Sequence, residues 1–188
     1  MPRPRSEAVR RAVLAAAIEL LESRDHAQLT MEGIARRARV SKQTVYRWWA
    51  SPADVLMEAL NDRARAQVVE SDTGSLARDL RAFVASTVRG LREGSAPLVA
   101  TLMAKAQLDE EFGKTFGREF LARRRKALRT LFERAQKRGE LAAGADLDLL
   151  VDIAFGTVWY RVLGRHGPLD DRFADRLADA LLLLCSPA

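Results

Sequence analysis

Apolar residues recur every three or four positions along most of the chain, which is the spacing of one face of an α-helix. The first such stripe follows Ser6 and comprises Val9, Val13, Leu14, Ala17, Ile18 and Leu21. No stretch shows the apolar-polar alternation of a half-buried strand. The pattern therefore predicts an all-α protein of about nine helices.

After residue 75 the same spacing predicts five longer helices. They cover residues 76–92, 97–108, 109–137, 147–165 and 170–184. Glycine or proline separates most of these segments, and the polar segment SDTGS at 71–75 separates them from the amino-terminal helices. Such residues interrupt helices because glycine leaves the helical backbone easily and proline lacks an N–H donor.

The pattern of residues 30–51 predicts two short helices joined by a tight turn. Thr30 and Ser41 are good amino-terminal caps, because a hydroxyl can accept a hydrogen bond from the first turn of a helix. Val45 and Trp49 are four residues apart and therefore share a face, which we expect to pack inward. The result is a helix-turn-helix whose second helix presents a polar side outward.

That outward side has the chemistry of a DNA-reading surface. Glutamine pairs with adenine and lysine with guanine in the major groove, while threonine and tyrosine suit phosphate oxygens or thymine methyls. The side chains concerned are Lys42, Gln43, Thr44, Tyr46 and Arg47. An ordinary solvated helix face is the alternative interpretation of each residue taken singly.

The charge distribution also indicates that the amino-terminal end of the chain binds a charged partner. Of a net charge of +6, residues 1–50 contribute +5, from ten basic and five acidic side chains. A basic segment joined to a nearly neutral body indicates a polyanionic partner for that segment. An arginine-rich composition without functional meaning is the alternative.

The remaining composition argues against several other classes. One cysteine, Cys185, allows no internal disulfide, which fits a cytoplasmic protein. There is no apolar leader and no run of 18 apolar residues, so we expect no membrane association. The two histidines, His26 and His166, lie in different predicted domains, and no catalytic triad, metal motif or phosphate loop is present. We expect no enzymatic activity, metal or cofactor.

A set of residues between about 10 and 60 resembles the TetR family of transcriptional regulators. The resemblance is carried by Leu29-Thr30, Ile34-Ala35, Ala38, Val40-Ser41, Thr44-Val45-Tyr46 and the pair Trp48-Trp49. It implies a DNA-binding helix-turn-helix domain over residues 1–60 and a ligand-binding and dimerisation domain over residues 61–188. It also implies a homodimer on a palindromic double-stranded operator, and a repressor that a small-molecule effector releases.

The resemblance assigns contacts within the amino-terminal domain. Base contacts fall on Lys42 and Gln43, with Tyr46 near a phosphate or a thymine methyl. Phosphate contacts fall on Thr30, Thr44 and Trp48. Arg3 and Arg5 would form a basic arm on the DNA backbone or in the minor groove.

Two positions depart from the family pattern. The family usually has glycine before Val40, where this chain has Arg39, and a left-handed backbone there would cost about 1 kcal/mol for a residue with a Cβ. A phosphate contact by the guanidinium would offset that cost, or the turn would differ. Pro52 stands where many members have a lysine that meets phosphate, and Arg39 or Arg47 could replace that contact.

The resemblance also predicts an effector pocket in the second domain. Its candidate lining residues are Phe83, Leu102, Met103, Phe112, Phe116, Phe120 and Trp159. Ordinary core packing is the alternative for each of them. The basic run at 123–126 points in several directions around its helix, so we expect it to be solvated surface.

Two apolar stripes near the carboxy terminus predict a four-helix dimer interface. The candidate interface residues are Leu150, Phe155, Val158, Val162, Phe173, Leu177, Leu181 and Leu184. The alternative is that both stripes serve only the core of the subunit. At the level of function, two alternatives to the regulator remain. One is a small-molecule-binding interaction module with a degenerate helix-turn-helix, and the other is an all-helical enzyme.

Overall fold

The computed structural model describes residues 6–23, 26–67 and 72–185, and its regular structure there is entirely helical. The helices are α1 (Glu7–Glu22), α2 (Met31–Arg37), α3 (Lys42–Tyr46), α4 (Pro52–Gln67), α5 (Leu76–Gly90), α6 (Ala96–Leu108), α7 (Glu110–Phe116), α8 (Ala122–Lys137), α9 (Leu147–Gly164) and α10 (Asp171–Cys185). The all-α prediction is confirmed. Arg3 and Arg5, predicted as a basic arm, lie outside the described residues.

The predicted helix at 109–137 is continuous but irregular. A π turn at Gly117–Leu121 joins α7 to α8. The sequence predicted about nine helices, and the described part of the chain has ten regular α-helices. The predicted break near residue 94 is also present. Leu91–Ser95 separates α5 from α6, and Gly94 has φ of 113°, which glycine adopts without steric cost.

Helices α1 to α4 enclose a small apolar core. Its fully buried members include Val13, Ile34, Val45 and Leu56, one from each helix. Gly33 is required here for a steric reason. A Cβ at that position would lie 2.0 Å from the carbonyl oxygen of Gln28, in the short 3-10 turn His26–Gln28.

Helices α5 to α10 form the larger part of the molecule, in which α10 packs on α5 and α8 packs on α9. Helix α4 packs against α1 on one side and against α5 and α6 on the other. The division proposed at residue 60 therefore falls within a helix that contacts both parts. No helix among the described residues has the length and apolar character needed to cross a membrane.

The predicted dimer-interface residues lie mostly inside the single subunit. Seven of the eight are buried within the single subunit: Leu150, Phe155, Val158, Val162, Phe173, Leu177 and Leu181. They form the inward sides of α9 and α10, and a side chain that is already buried has little surface left for a partner. Only Leu184 is exposed, at 57 %.

The outward sides of the same two helices carry other apolar residues. Leu149, Tyr160 and Leu163 on α9 are at least half exposed, and Leu183 on α10 is 77 % exposed. Half-buried Ile153 lies on the same side of α9 as Leu149 and Tyr160. The periodicity located the two apolar helices, and the tertiary structure determined which side of each faces the core.

Candidate nucleic-acid interface

The second helix of the helix-turn-helix, α3, is capped and anchored from its own sequence. The Ser41 hydroxyl accepts a hydrogen bond from the Thr44 amide at 3.2 Å, which fixes the first turn. Val45 is completely buried and Trp49, just beyond the helix, is 4 % exposed, as their spacing predicts. These inward contacts orient the helix with its polar side towards solvent.

The predicted DNA-reading residues lie on that solvent side. Lys42, Gln43, Tyr46 and Arg47 are exposed, and Thr44 is half-buried. Tyr46 keeps 50 % of its surface exposed despite its large ring. The structure thus brings the candidate base contacts together on one open surface.

The turn between α2 and α3 has the left-handed geometry considered for Arg39. Arg39 has φ of 55° and is exposed. The Val40 amide donates to the Ala35 carbonyl at 3.0 Å, and the Arg39 amide donates to the Arg36 carbonyl at 3.2 Å. These two bonds form a Schellman motif, which normally uses glycine at the left-handed position. The fold therefore keeps the turn and bears the cost of a side chain there.

The candidate phosphate contacts surround this helix. Thr30 is exposed and caps α2 by accepting a hydrogen bond from the Gly33 amide at 3.0 Å. Trp48 is 37 % exposed, and the Arg47 guanidinium lies 5.7 Å from the centre of its indole. The exposed side chains of Arg39 and Arg47 add positive charge to this surface.

Glu32 is a functional candidate that the sequence analysis did not single out. Its carboxylate accepts a hydrogen bond from the Tyr46 hydroxyl at 3.2 Å and lies 3.5 Å from Lys42 Nζ. Its own backbone amide and the Tyr46 hydroxyl hold the pKa of Glu32 below its usual value. Desolvation, and then the Glu32 carboxylate, raise the pKa of Tyr46. One acid therefore engages two of the predicted DNA-reading side chains.

A polar network connects the recognition helix to α4 and α1. Trp49 Nε1 donates to Glu58 Oε2 at 2.8 Å, and the Arg10 guanidinium hydrogen-bonds both Glu58 and Asp62. These hydrogen bonds, Asp62 first, raise the pKa of Arg10 above its ordinary range. The Arg10 contacts with Glu58 and Asp62 join residues 48 and 52 positions apart in sequence, so no local pattern reveals them.

A cavity in the larger part of the molecule is the candidate effector site. It has about 360 Å³ of unfilled volume, part of which is open to solvent. Its lining comes from α4, α5, α6, α8, α9 and the two irregular turns: Leu60, Ala64, Thr87, Gly90, Leu91, Ser95, Val99, Phe120, Arg124, Phe155 and Trp159.

The predicted pocket residues are distributed over several places. Phe120 and Trp159 line this cavity. Met103 and Phe116 border a separate open cleft beside α6 and α7, and Phe112 borders one between α4 and α7. Phe83 packs edge-on against Phe155 and Leu102 is fully buried, and neither is among the lining residues of these three spaces.

Arg124 corrects the expectation that the basic run at 123–126 is solvated surface. Arg123 and Lys126 are exposed, but the Arg124 side chain turns into the cavity and donates to the Thr87 hydroxyl at 2.9 Å. Among the described residues, no cluster of three potential metal-ligating side chains is found.

The fold and this surface define a helix-turn-helix DNA-binding regulator, and comparison with known proteins gives the family. Residues 13–59 match the family model "Bacterial regulatory proteins, tetR family", and residues 70–181 match "Tetracyclin repressor-like, C-terminal domain". Together the two matches cover most of the chain. The protein belongs to the TetR family of DNA-binding transcriptional regulators.

Named relatives are similar over nearly the whole chain. The HTH-type transcriptional regulator YdeS of Bacillus subtilis is 31 % identical over 171 residues, which is 91 % of this chain and 86 % of YdeS. The DNA-binding transcriptional repressor TetR of Mycobacteroides abscessus is 31 % identical over 181 residues, 96 % of this chain and 95 % of that protein.

Solved structures share the fold. The TetR family transcription regulator SCO0332 aligns with a TM-score of 0.75 and 30 % identity, covering 96 % of this chain and all of that one. FadR from Bacillus subtilis, crystallised in complex with stearoyl-CoA, aligns with a TM-score of 0.76 and 17 % identity, covering 92 % and 97 %. The second match shows the fold alone.

Proposed function

We propose that this regulator is a repressor that binds a roughly palindromic operator as a homodimer and is released by a small-molecule effector. Residues 1–60 would bind DNA, and residues 61–188 would bind the effector and the second subunit. The observation that carries the proposal is the outward presentation of Lys42, Gln43 and Tyr46 on a capped and anchored helix.

Base readout by this helix follows from its chemistry. Lys42 would contact guanine and Gln43 adenine in the major groove. Thr30, Arg39, Thr44, Arg47 and Trp48 would contact phosphates, which position the helix without carrying sequence information. The Mycobacteroides abscessus relative is a transcriptional repressor, which supports repression as the outcome of binding.

The homodimer is supported by the exposed apolar residues of α9 and α10. Leu149, Tyr160, Leu163, Leu183 and Leu184 lie on the outward sides of adjacent helices. Two such helix pairs can pack around a two-fold axis. A dimer would place two recognition helices about 34–36 Å apart, the repeat of the major groove on one side of the duplex.

Effector release is supported by the position of α4. Leu60 and Ala64 of α4 line the cavity, and Glu58 of the same helix accepts the hydrogen bond from Trp49 at the end of the recognition helix. A ligand that enlarges the cavity would displace α4 and change the spacing of the two recognition helices. It would thereby shift the population away from the DNA-bound form.

The test is a gel-shift titration of the purified protein against the promoter regions nearest its own gene, at fixed moderate salt. We expect sequence-specific binding that the triple variant Lys42→Ala, Gln43→Ala, Tyr46→Ala loses by about a hundredfold or more, since each good base contact contributes about 1–3 kcal/mol. The melting temperature should not change, because the three side chains are exposed.

A matched control removes Arg123 and Lys126, two exposed basic residues of α8, by substitution with alanine. This variant should bind the operator like the wild type. Specific binding that survives the triple substitution would overturn the assigned reading surface. A dimer without sequence preference in any of these regions would favour an interaction module with a degenerate helix-turn-helix.

A further inference from the structure

The effector cavity contains a cation without a counter-charge. Arg124 donates one hydrogen bond to Thr87 and lies 5.9 Å from the centre of the Phe155 ring. Among the described residues, no carboxylate forms an ion pair with it, although Arg125 pairs with Asp152 and Arg129 with Asp148 on the same helix. An arginine has five N–H donors, so most of its hydrogen-bonding capacity is unused.

This arrangement is energetically unfavourable for the protein alone. Burial lowers the pKa of Arg124, because the charged guanidinium is poorly solvated where it lies. Buried charges are normally paired, because desolvation is otherwise uncompensated. A cost of this kind at a cavity wall indicates that the charge has a partner in another state of the protein.

Ser95 provides a second, independent observation. Ser95 is 5 % exposed and lines the same cavity, and its hydroxyl has no hydrogen-bond partner within the part of the chain that the structure describes. Buried polar groups in native proteins nearly always have one. An acceptor bound in the cavity would satisfy Ser95 and Arg124 together.

The rest of the lining defines the body of the ligand. Apart from Thr87, Ser95 and Arg124, the side chains are aliphatic or aromatic, and Arg124 is the one cationic residue among them. The cavity has room for about one water as it stands. Its walls include the kinked segment Leu91–Ser95 and the π turn Gly117–Leu121. Such irregular helical turns are frequent at functional sites.

We propose that the effector is an apolar monocarboxylate whose carboxylate is bound by Arg124 with the hydroxyls of Ser95 and Thr87. The inference rests on the proposed function in taking this cavity as the effector site. A single carboxylate fits better than a phosphate ester or a polyphosphate, because the lining supplies one cation. The apolar body would enter between Leu91, Phe120 and Trp159 and enlarge the cavity.

Matched acids and amides test the charge requirement. The purified full-length protein would be titrated calorimetrically with decanoate and decanamide, and with 3-phenylpropionate and its amide. We expect at least one acid to bind tenfold or more tightly than its amide. Arg124→Met should abolish that preference while leaving amide binding unchanged, because it removes the charge and keeps an apolar stem.

Arg123→Met is the matched control, since it removes the adjacent but exposed guanidinium, and it should keep the preference. Ser95→Ala should weaken acid binding by a smaller factor, about threefold to tenfold, as expected for one hydrogen bond to a charged group. An acid preference that is absent in the wild type, or that persists in Arg124→Met, would overturn the proposal.

Thermal unfolding without ligand separates this role from a structural one. Arg124→Met should melt at the same temperature as the wild type or above it, because it removes a half-buried charge that has no carboxylate partner among the described residues. A marked fall in melting temperature would identify Arg124 as a structural residue and count against the proposal.

The operator gel shift distinguishes failure of this inference from failure of the proposed function. Operator binding that no acid releases would leave the DNA-binding proposal intact and reject the effector class. Acid binding through Arg124 in a protein without a specific operator would support the anion site and reject the repressor.

Discussion

The DNA-reading surface and the effector cavity are built in opposite ways. The reading surface consists of neighbouring residues on one short exposed helix, capped by Ser41 and held by buried Val45. The cavity is lined by residues from Leu60 to Trp159, contributed by five helices and two irregular turns. A local site keeps its geometry through short-range contacts, whereas the cavity depends on the packing of most of the molecule.

This difference has a consequence for substitution. Exposed residues of the reading surface can change without disturbing the core, so their effect should be confined to DNA affinity. Lining residues of the cavity also belong to the core, so their effect should combine ligand response and stability.

Phe155→Ala should give the largest change in stability. Phe155 is 4 % exposed and packs against Phe83 and Trp159 at ring-centroid distances of 6.2 and 5.8 Å. Truncating a buried phenylalanine costs about 3–5 kcal/mol. Urea unfolding should detect a loss of that size, while the folded fraction should retain wild-type operator affinity. A loss below about 1 kcal/mol would mean that the cavity is not part of the core.

Leu163→Glu tests the opposite side of the same helix. Leu163 is 50 % exposed in the subunit, so a glutamate there should leave the subunit folded but disrupt the proposed dimer. Losing the second half-site should weaken operator binding by about a hundredfold, the lower end of the gain from two linked sites. Sedimentation velocity and gel shift would measure the two effects.

Leu108→Glu is the control for that experiment. Leu108 is 89 % exposed at the end of α6, on a different helix from the proposed interface. It should remain dimeric and bind the operator normally. If both variants behave like the wild type, the outward side of α9 is not the dimer contact.

Arg39→Gly should affect stability and DNA binding in opposite directions. Relief of the left-handed backbone should raise the free energy of unfolding by about 1 kcal/mol. Loss of one phosphate contact should weaken operator binding and reduce the slope of log K against log salt by about 0.9. Anisotropy titrations at several salt concentrations, with thermal unfolding, would measure both.

Arg165→Gly is the matched control, because Arg165 is the other non-glycine residue with positive φ in the described chain, at 49°. It lies at the end of α9 and should gain the same stability without any change in DNA affinity. An unchanged salt slope for Arg39→Gly would remove Arg39 from the phosphate contacts.

Glu32→Gln should have the smallest effect, an increase of about twofold to fivefold in operator affinity, in keeping with the weak energies of exposed ion pairs. The substitution removes the ion pair of Glu32 with Lys42 and a negative charge beside the reading surface. Asp109→Asn, a second acid that pairs with a lysine at 2.6 Å but lies on the effector half, should leave DNA affinity unchanged.

The pH dependence of this interaction has a definite sign. The folded protein holds the pKa of Glu32 below its ordinary value of 4.5. The stabilising interaction is therefore fully present above pH 4.5 and is lost as the pH falls through the lowered pKa. Between pH 6 and 8 the ratio of mutant to wild-type operator affinity should be constant. A ratio that changes in that range would require a different titrating group.

The sequence alone determined the elements whose signals are local. Caps at Thr30 and Ser41, the inward pair Val45 and Trp49, and glycine-containing breaks all depend on neighbours within about one helical turn. Such contacts are independent of the rest of the fold, so the all-α architecture and the outward set on α3 could be predicted. The family resemblance left open whether the turn at Arg39 is left-handed or differs from the family pattern, and φ of 55° shows the left-handed form.

Only the tertiary structure decided how distant segments meet. It turned seven of the eight interface candidates inward, directed Arg124 rather than its neighbours into the cavity, and brought Glu32 to Tyr46. Helical periodicity identifies an apolar side but not the surface that it contacts, and adjacent basic residues look alike in sequence. Burial of a particular side chain depends on contacts among helices far apart in the chain, and these exist only once the helices have packed.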